Sequence, residues 1–168
     1  MEAFSVCPVR TDAEIQSLAA LAKEIWEEHF TPIIGAAQVA YMLEQFQSYP
    51  ALKQAVGTGG YRYWFLCRDG EIAGYTGVHP ENGALFLSKL YLKKAERGKG
   101  LARQAFDFLC GFARQEGCRK IWLTCNRDNR ASYEIYLHLG FSVAREQDAD
   151  IGNGFVMNDY VMEYPLGG

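Results

Sequence analysis

The sequence lacks any run of about 18 apolar residues that could span a bilayer, and its first ten residues lack the charged-then-apolar order of a signal peptide. The expectation is a soluble, cytoplasmic protein. The five cysteines (Cys7, Cys67, Cys110, Cys118, Cys125) are odd in number and never form C-x-x-C. They sit within apolar patterns, where small buried thiols fit, so they are read as structural. The three histidines, His29, His79 and His138, are far apart and lack the H-x-x-x-H spacing that puts two ligands on one helix face, so no metal is expected. No G-x-S-x-G marks a nucleophile on a tight turn.

What is present is ample core material: 49% of the 168 residues are apolar, enough for one compact domain over 1–168. Net charge is −3, but it is unevenly spread. From Lys89 to Arg103 six basic residues stand against Glu96, a local balance of +5 that leaves −8 for the rest. Such an island can meet phosphates, while the acidic remainder argues against nucleic acid as the partner.

Alternation over residues 4–10 predicts an opening strand, and Asp12 caps a helix to about residue 30 with Ile15, Leu18, Leu21, Ala22, Ile25 and Trp26 on one face. Thr31-Pro32 should break it. A second helix is predicted over 36–47, ending before Pro50, followed by a glycine-rich loop over 57–60. Strands over 61–67 and 72–78 flank Asp69-Gly70, a hairpin signal, and a further turn over 80–83 leads to a longer strand over 84–92. A helix over 100–116, a strand over 119–125, a short helix over 129–139 and strands over 141–145 and 155–164 complete the chain.

The strand ending Leu90-Tyr91-Leu92 runs through a basic connection into Arg97-Gly98-Lys99-Gly100-Leu101-Ala102 at a helix start. Glycines let main chain approach an anion, and the unpaired N–H groups of a helix N-terminus point positive dipole at it. A dinucleotide fingerprint would need Gly or Ala where Arg103 stands, and the Gly-Lys-Ser/Thr of a P-loop is absent. Arg97-x-x-Gly100-x-Ala102 matches the acyl-CoA motif Gln/Arg-x-x-Gly-x-Gly/Ala. Downstream, Asn129, Ala131, Ser132, Tyr136 and Gly140-Phe141 match N-x-x-A/S-x-x-x-Y-x-x-x-G-F. On these two motifs, over residues 84–141, the chain resembles the GNAT superfamily of N-acetyltransferases.

The resemblance implies an α/β (α+β) fold: a mixed, mostly antiparallel central sheet with two splayed central strands, flanked by helices. It implies acetyl-CoA as co-substrate and direct transfer of its acetyl group to a primary amine of a small molecule, polyamine, amino acid or peptide. Amides of Gly98, Lys99, Gly100, Leu101 and Ala102 would hold the pyrophosphate with help from Arg97. Main chain at Leu90, Tyr91 and Leu92 would pair with the pantetheine arm. The Leu90 N–H would meet the oxyanion, and Tyr136 would protonate the departing thiolate. Asn129, Ser132 and His138 would also touch the cofactor. A phenol of pKa about 10 facing a thiol of about 8.5 needs little tuning for that task.

The chain departs from the family where many members carry a glutamate on the central strand to take the amine's proton: here the residues are Leu87-Ser88-Lys89-Leu90. His79, Glu28, His29 and Asp150 are candidate replacements. Substrate contacts are expected from Trp26 to Tyr41, around Tyr75, and in the segment 148–160, with Trp26, Phe30 and Tyr41 as walls and Glu27, Glu28, Asp148, Asp150 and Asp159 attracting a positive amine. A non-catalytic acyl-CoA-binding module is the competing reading. The edge of the last strands offers a surface for a homodimer, and neither nucleic acid nor membrane is expected as a partner.

Overall fold

The computed structural model describes residues 3–167. Among the described residues seven strands hydrogen-bond in the order β1-β2-β3-β4-β5-β7-β6, a mixed and mostly antiparallel sheet accompanied by five α-helices. The contacts divide into two compact units, one of residues up to 79 with 89–105, the other of 80–88 with 106 onward.

In the first unit, β1 (Phe4–Pro8) pairs antiparallel with β2 (Arg62–Arg68), and β2 with β3 (Glu71–Glu81). Helix α1 (Asp12–Ile34) is capped by Thr11, whose side chain accepts from Glu14 N while Glu14 Oε1 accepts from Thr11 N at 2.8 Å. The cap therefore lies one residue before Asp12, and this reciprocal pair satisfies two otherwise orphaned donors. The helix also continues past Pro32, contrary to the expected break. A proline in the last turn forfeits one backbone bond, and Gly35 N closes the end on the Thr31 carbonyl at 3.0 Å.

After α2 (Ala36–Phe46) comes α3 (Tyr49–Gly57), a helix not expected from the sequence, capped by Ser48 and with Pro50 in its first turn. Pro50 begins a helix here because its missing N–H is one that a helix start leaves unpaired anyway. The core of this unit is the apolar face of α1, Ile15 to Phe30, with the buried run Tyr63–Cys67 of β2. Five buried residues in succession mark a strand covered on both faces. Gly74 of β3 lies so close to β4 (Ala84–Leu92) that a Cβ would collide with the Tyr91 carbonyl oxygen.

In the second unit, β4 runs parallel to β5 (Lys120–Asn126) over three pairs, Ala84↔Lys120, Leu85↔Ile121 and Phe86↔Trp122. The register stops there, although Leu87 and Ser88 continue β4 and Leu123 to Asn126 continue β5. The parting of these strands is the splay expected of the central pair. β5 pairs antiparallel with β7 (Phe155–Pro165), and β7 with β6 (Ser142–Gly152). The β6–β7 hairpin is longer than predicted, because Asn153 and Gly154 form a two-residue turn at φ 54° and 78°. From α4 (Leu101–Gln115), Phe106 packs on Phe141 and Tyr164, with ring centroids 5.3 and 4.9 Å apart. Helix α5 (Arg130–Leu139) is capped by Asn129 and closed by Gly140 in the left-handed region.

Candidate active site

The first unit holds the glycine turn. Gly98 and Gly100 have φ of 78° and 79°, and a Cβ built on either would meet nothing within 4 Å. The space above this main chain is open. The first helical bond of α4 runs from Gln104 N to the Gly100 carbonyl, so the amides of Leu101 and Ala102 are spare donors at the positive end of the helix dipole. An exposed cradle of main-chain donors beside Lys93, Lys94 and Lys99 fits a diphosphate by charge and by space.

The Arg97 side chain is engaged elsewhere. Its guanidinium donates to Glu28 at 2.6 and 3.2 Å and to the Leu92 carbonyl at 3.2 and 3.0 Å. The hydrogen bond from Arg97 holds the Glu28 carboxyl below the ordinary range, against the direction a proton acceptor needs. Arg97 therefore ties the end of β4 to α1, and Glu28 is the other half of that tie.

Burial along β4 alternates through Leu85 and Leu87, then slips by one before Leu90, leaving Ser88 and Lys89 partly exposed in succession. The Thr76 hydroxyl donates to the Lys89 carbonyl at 2.7 Å. Trp26 is buried, and its ring lies 4.9 Å from Phe30 and 5.7 Å from Tyr91, with Lys89 Nζ 5.8 Å from its centroid. Burial pushes the Lys89 ammonium down to about 8. Trp26 Nε1–H donates to the Tyr75 hydroxyl at 2.8 Å, which donates in turn to Gln47 Oε1 at 2.9 Å, a buried chain joining α1, β3 and the end of α2. His29 stacks edge-on against Phe30, Tyr41 lies edge-on to Phe46, and His79 leans on Tyr61. Sequence periodicity placed Trp26 on the inward face of α1; the Tyr75–Gln47 chain left no such signal, because its partners lie 28 residues apart.

The second unit holds the other motif. Asn129 is buried, and its Oδ1 accepts from Ser132 N at 3.4 Å. Tyr136 is buried with its ring edge-on to Phe141 at 5.7 Å. Among the described residues, Asp159 Oδ1 is the side-chain polar atom both sealed from solvent and without a hydrogen bond. Burial, with a smaller contribution from Cys125, pushes the Tyr136 phenol well above its ordinary value. The expectation of an acid needing little tuning is corrected: the hydroxyl is a firmly held proton, and each unit of mismatch costs about 1.36 kcal/mol. His138 is exposed in the last turn of α5. Asp150 is exposed, and its Oδ1 accepts from Gly152 N at 2.8 Å, shaping the hairpin end. Asp148 is bound to Arg127, which also holds Glu146 at 3.0 Å. The thiols Cys67, Cys110, Cys118 and Cys125 are buried and Cys7 is exposed, all unbridged.

Comparison with known proteins gives this arrangement its family. The model of the acetyltransferase (GNAT) family matches residues 18–141, well over half the chain. The chain belongs to the GNAT acetyltransferase family. Among curated relatives it is 32% identical over 94 residues to the uncharacterized N-acetyltransferase YjgM of Escherichia coli, a match covering 54% of this chain and 56% of that protein. It is 30% identical over 95 residues to the uncharacterized N-acetyltransferase Rv2669 of Mycobacterium tuberculosis, covering 56% and 60%. The match thus spans little more than half the length of either relative. Among solved structures, PaiA N-acetyltransferase from Thermoplasma acidophilum, crystallised in complex with coenzyme A, superposes with a TM-score of 0.79 over 97% of this chain and 99% of that one. At 16% identity that likeness shows the GNAT fold. No helix among the described residues is long and apolar enough to cross a membrane, and the same residues hold no cluster of three or more metal-ligating side chains.

Proposed function

We propose that this GNAT protein transfers an acetyl group from acetyl-CoA to a primary amine by direct attack of the amine on the thioester. The observation that carries this reading is the open turn at Gly98 and Gly100, whose main chain leads into the unpaired amides of α4. Gly98, Lys99, Gly100, Leu101 and Ala102 hold the diphosphate through main-chain N–H groups, and the neighbouring lysines add charge. Main chain from Leu90 to Leu92 accompanies the pantetheine arm, with the Leu90 N–H at the carbonyl oxygen as it gains charge. Arg97 supports this main chain by gripping the Leu92 carbonyl and adds positive charge beside the diphosphate.

Tyr136 supplies the proton that the departing thiolate needs. Its place in the second motif supports this role, and proximity to the thiolate at the moment of cleavage offsets the raised phenol pKa. Asn129 and Ser132 flank the cofactor arm, and His138 lies toward its phosphates. Trp26, Phe30 and Tyr91 wall the acceptor pocket.

Incubation with acetyl-CoA and a panel of polyamines, amino acids and peptide amines, following free thiol, tests the reading. Turnover of at least one amine is expected, with Tyr136→Phe lowering kcat about 100-fold or more while coenzyme A affinity stays within about twofold. Coenzyme A binding without turnover across the panel would instead favour a binding module, which the central strand's missing carboxylate makes the competing reading.

A further inference from the structure

An acceptor must bring its nitrogen to the thioester, and the walls along its way decide what other groups it can carry. With the thioester carbonyl at the Leu90 N–H, the residues of the first unit beside Leu90 are the ones that meet the acceptor. Side chains alternate along a strand, so Lys89 and Tyr91, on either side of Leu90, share a face of β4. Both meet α1 there. The Tyr91 ring lies 5.7 Å from Trp26 and 5.6 Å from Phe30, and Lys89 Nζ lies 5.8 Å from the centre of the Trp26 ring.

From the sequence, the Trp26 face and the carboxylates of α1 are expected to receive a positive amine. The structure fills that place with a cation of the chain's own. An ammonium within about 6 Å of an indole already draws on the negative face of the ring. The carboxylates are spoken for as well: Glu28 is bound to Arg97 at 2.6 Å, and Glu27 to Lys23 at 2.9 Å. This wall of the first unit is therefore an apolar surface, made by Trp26, Phe30 and Tyr91, that carries the positive charge of Lys89.

We propose that Lys89 determines acceptor specificity, its ammonium pairing with a carboxylate that the acceptor carries beside its reactive amine. The acceptors are then amino acids and related amino carboxylates rather than polyamines. This assignment rests on the acetyl-transfer reading above and deepens it. Lys89 takes no part in the bonds made and broken; it selects which amine arrives.

The surroundings suit that role. Although burial lowers its pKa to about 8, Lys89 is mostly charged at pH 7. A charge partly withdrawn from water gains more from an opposite charge than one on the open surface does. A polyamine would bring like charge to the same place, which disfavours it. Platform and stem are both held in advance: Trp26 Nε1–H donates to the Tyr75 hydroxyl at 2.8 Å, and the Lys89 carbonyl accepts from Thr76 at 2.7 Å. The three aromatic rings then meet the carbon frame of the acceptor.

Pairs of acceptors that differ by one carboxylate test the assignment: ornithine against putrescine, lysine against cadaverine, and phenylalanine against phenethylamine. Wild-type kcat/KM is expected to favour the carboxylate-bearing member about 10-fold or more, chiefly through KM. Lys89→Gln should raise KM for that member about 10-fold or more, leaving kcat/KM for the bare amine and coenzyme A affinity within about twofold. Lys89→Arg should keep most of the preference. A merely structural role would weaken both members of each pair alike. Independently of turnover, calorimetric titration should show wild type binding N-acetylphenylalanine more tightly than N-acetylphenethylamine, and Lys89→Gln binding the two equally. A wild type that prefers the bare amines, or a Lys89→Gln that keeps the wild-type ratio, overturns the assignment while leaving acetyl transfer standing. Lys89-dependent discrimination in the titration without turnover of any amine supports the anion-binding role and overturns the transfer reading.

Discussion

Arg97 grips Glu28 of α1 through both terminal nitrogens, at 3.2 and 2.6 Å, and the carbonyl of Leu92 at the end of β4 through Nε and Nη2. One side chain of the glycine turn thus fastens the turn to a helix and a strand. Both side chains are about a third exposed, so solvent screening holds the pair to about 1 kcal/mol or less. Because Arg97 lowers the Glu28 pKa, that stability is present above the ordinary glutamate pKa and is lost as pH falls through the lowered value. Glu28→Gln should lower Tm by a few degrees at pH 7, and thermal scans in acid below the Glu28 pKa should show no difference.

Gly100 stands at φ 79° with empty space above it, so Gly100→Ala meets no atom and is opposed by backbone strain alone. The expected cost is about 1–2 kcal/mol in stability, with coenzyme A affinity falling as the turn relaxes. Gly111 lies inside α4 with equally open space and no positive φ, so Gly111→Ala should stabilise by about 0.5–1 kcal/mol. Calorimetric titration and melting of the two variants separate turn geometry from loss of glycine as such.

Tyr75→Phe removes one oxygen and leaves two buried groups, Trp26 Nε1–H and Gln47 Oε1, without that partner. Each such loss costs about 1–3 kcal/mol. A Tm drop of several degrees is expected, with KM for the amine rising more than KM for acetyl-CoA, because the chain orients Trp26. An unchanged Tm would mean that water enters and restores the bonds.

Asp159 has the opposite pH signature to Glu28. Its folded pKa is raised to about 6, so the ionised form opposes folding above that pH by up to about 3 kcal/mol. The penalty shrinks as pH falls through 6 and is absent below the unfolded value of about 3.9. Asp159→Asn should therefore be more stable than wild type in urea at pH 8, with the gap closing toward pH 4. A variant less stable at pH 8 would show that the carboxylate is paired in solution.

Much of this was legible in the sequence because it rests on local chemistry. The 3.6 period of α1 named its buried face, and Asp69-Gly70 gave its hairpin through two residues at φ 53° and 81°. The second motif placed the Asn129 cap and the Gly140 stop of α5. Two expectations about proline fail: Pro32 reads as a stop and Pro50 as an end, whereas the first sits where one lost bond matters little and the second where none is lost. The surroundings of Arg97 and Asp159 depend on partners far away in the chain, Glu28 across 69 residues and Asn126 across the ladder. No window of neighbouring residues contains that information. Asp159 had one faint sign, its place between Met157 and Val161 on the inward side of an alternating strand.

The outermost strand, β6, has a consequence for how copies of this chain meet. A rim of bare N–H and C=O groups is a template on which another strand can anneal. Here that rim is exposed from Ser142 to Glu146, carries Arg145, Glu146, Asp148 and Asp150, and is kinked between Val143 and Arg145 and again between Asp150 and Gly152. Exposed charged side chains and two breaks in spacing are the features that hinder a further strand from continuing a sheet into a fibril.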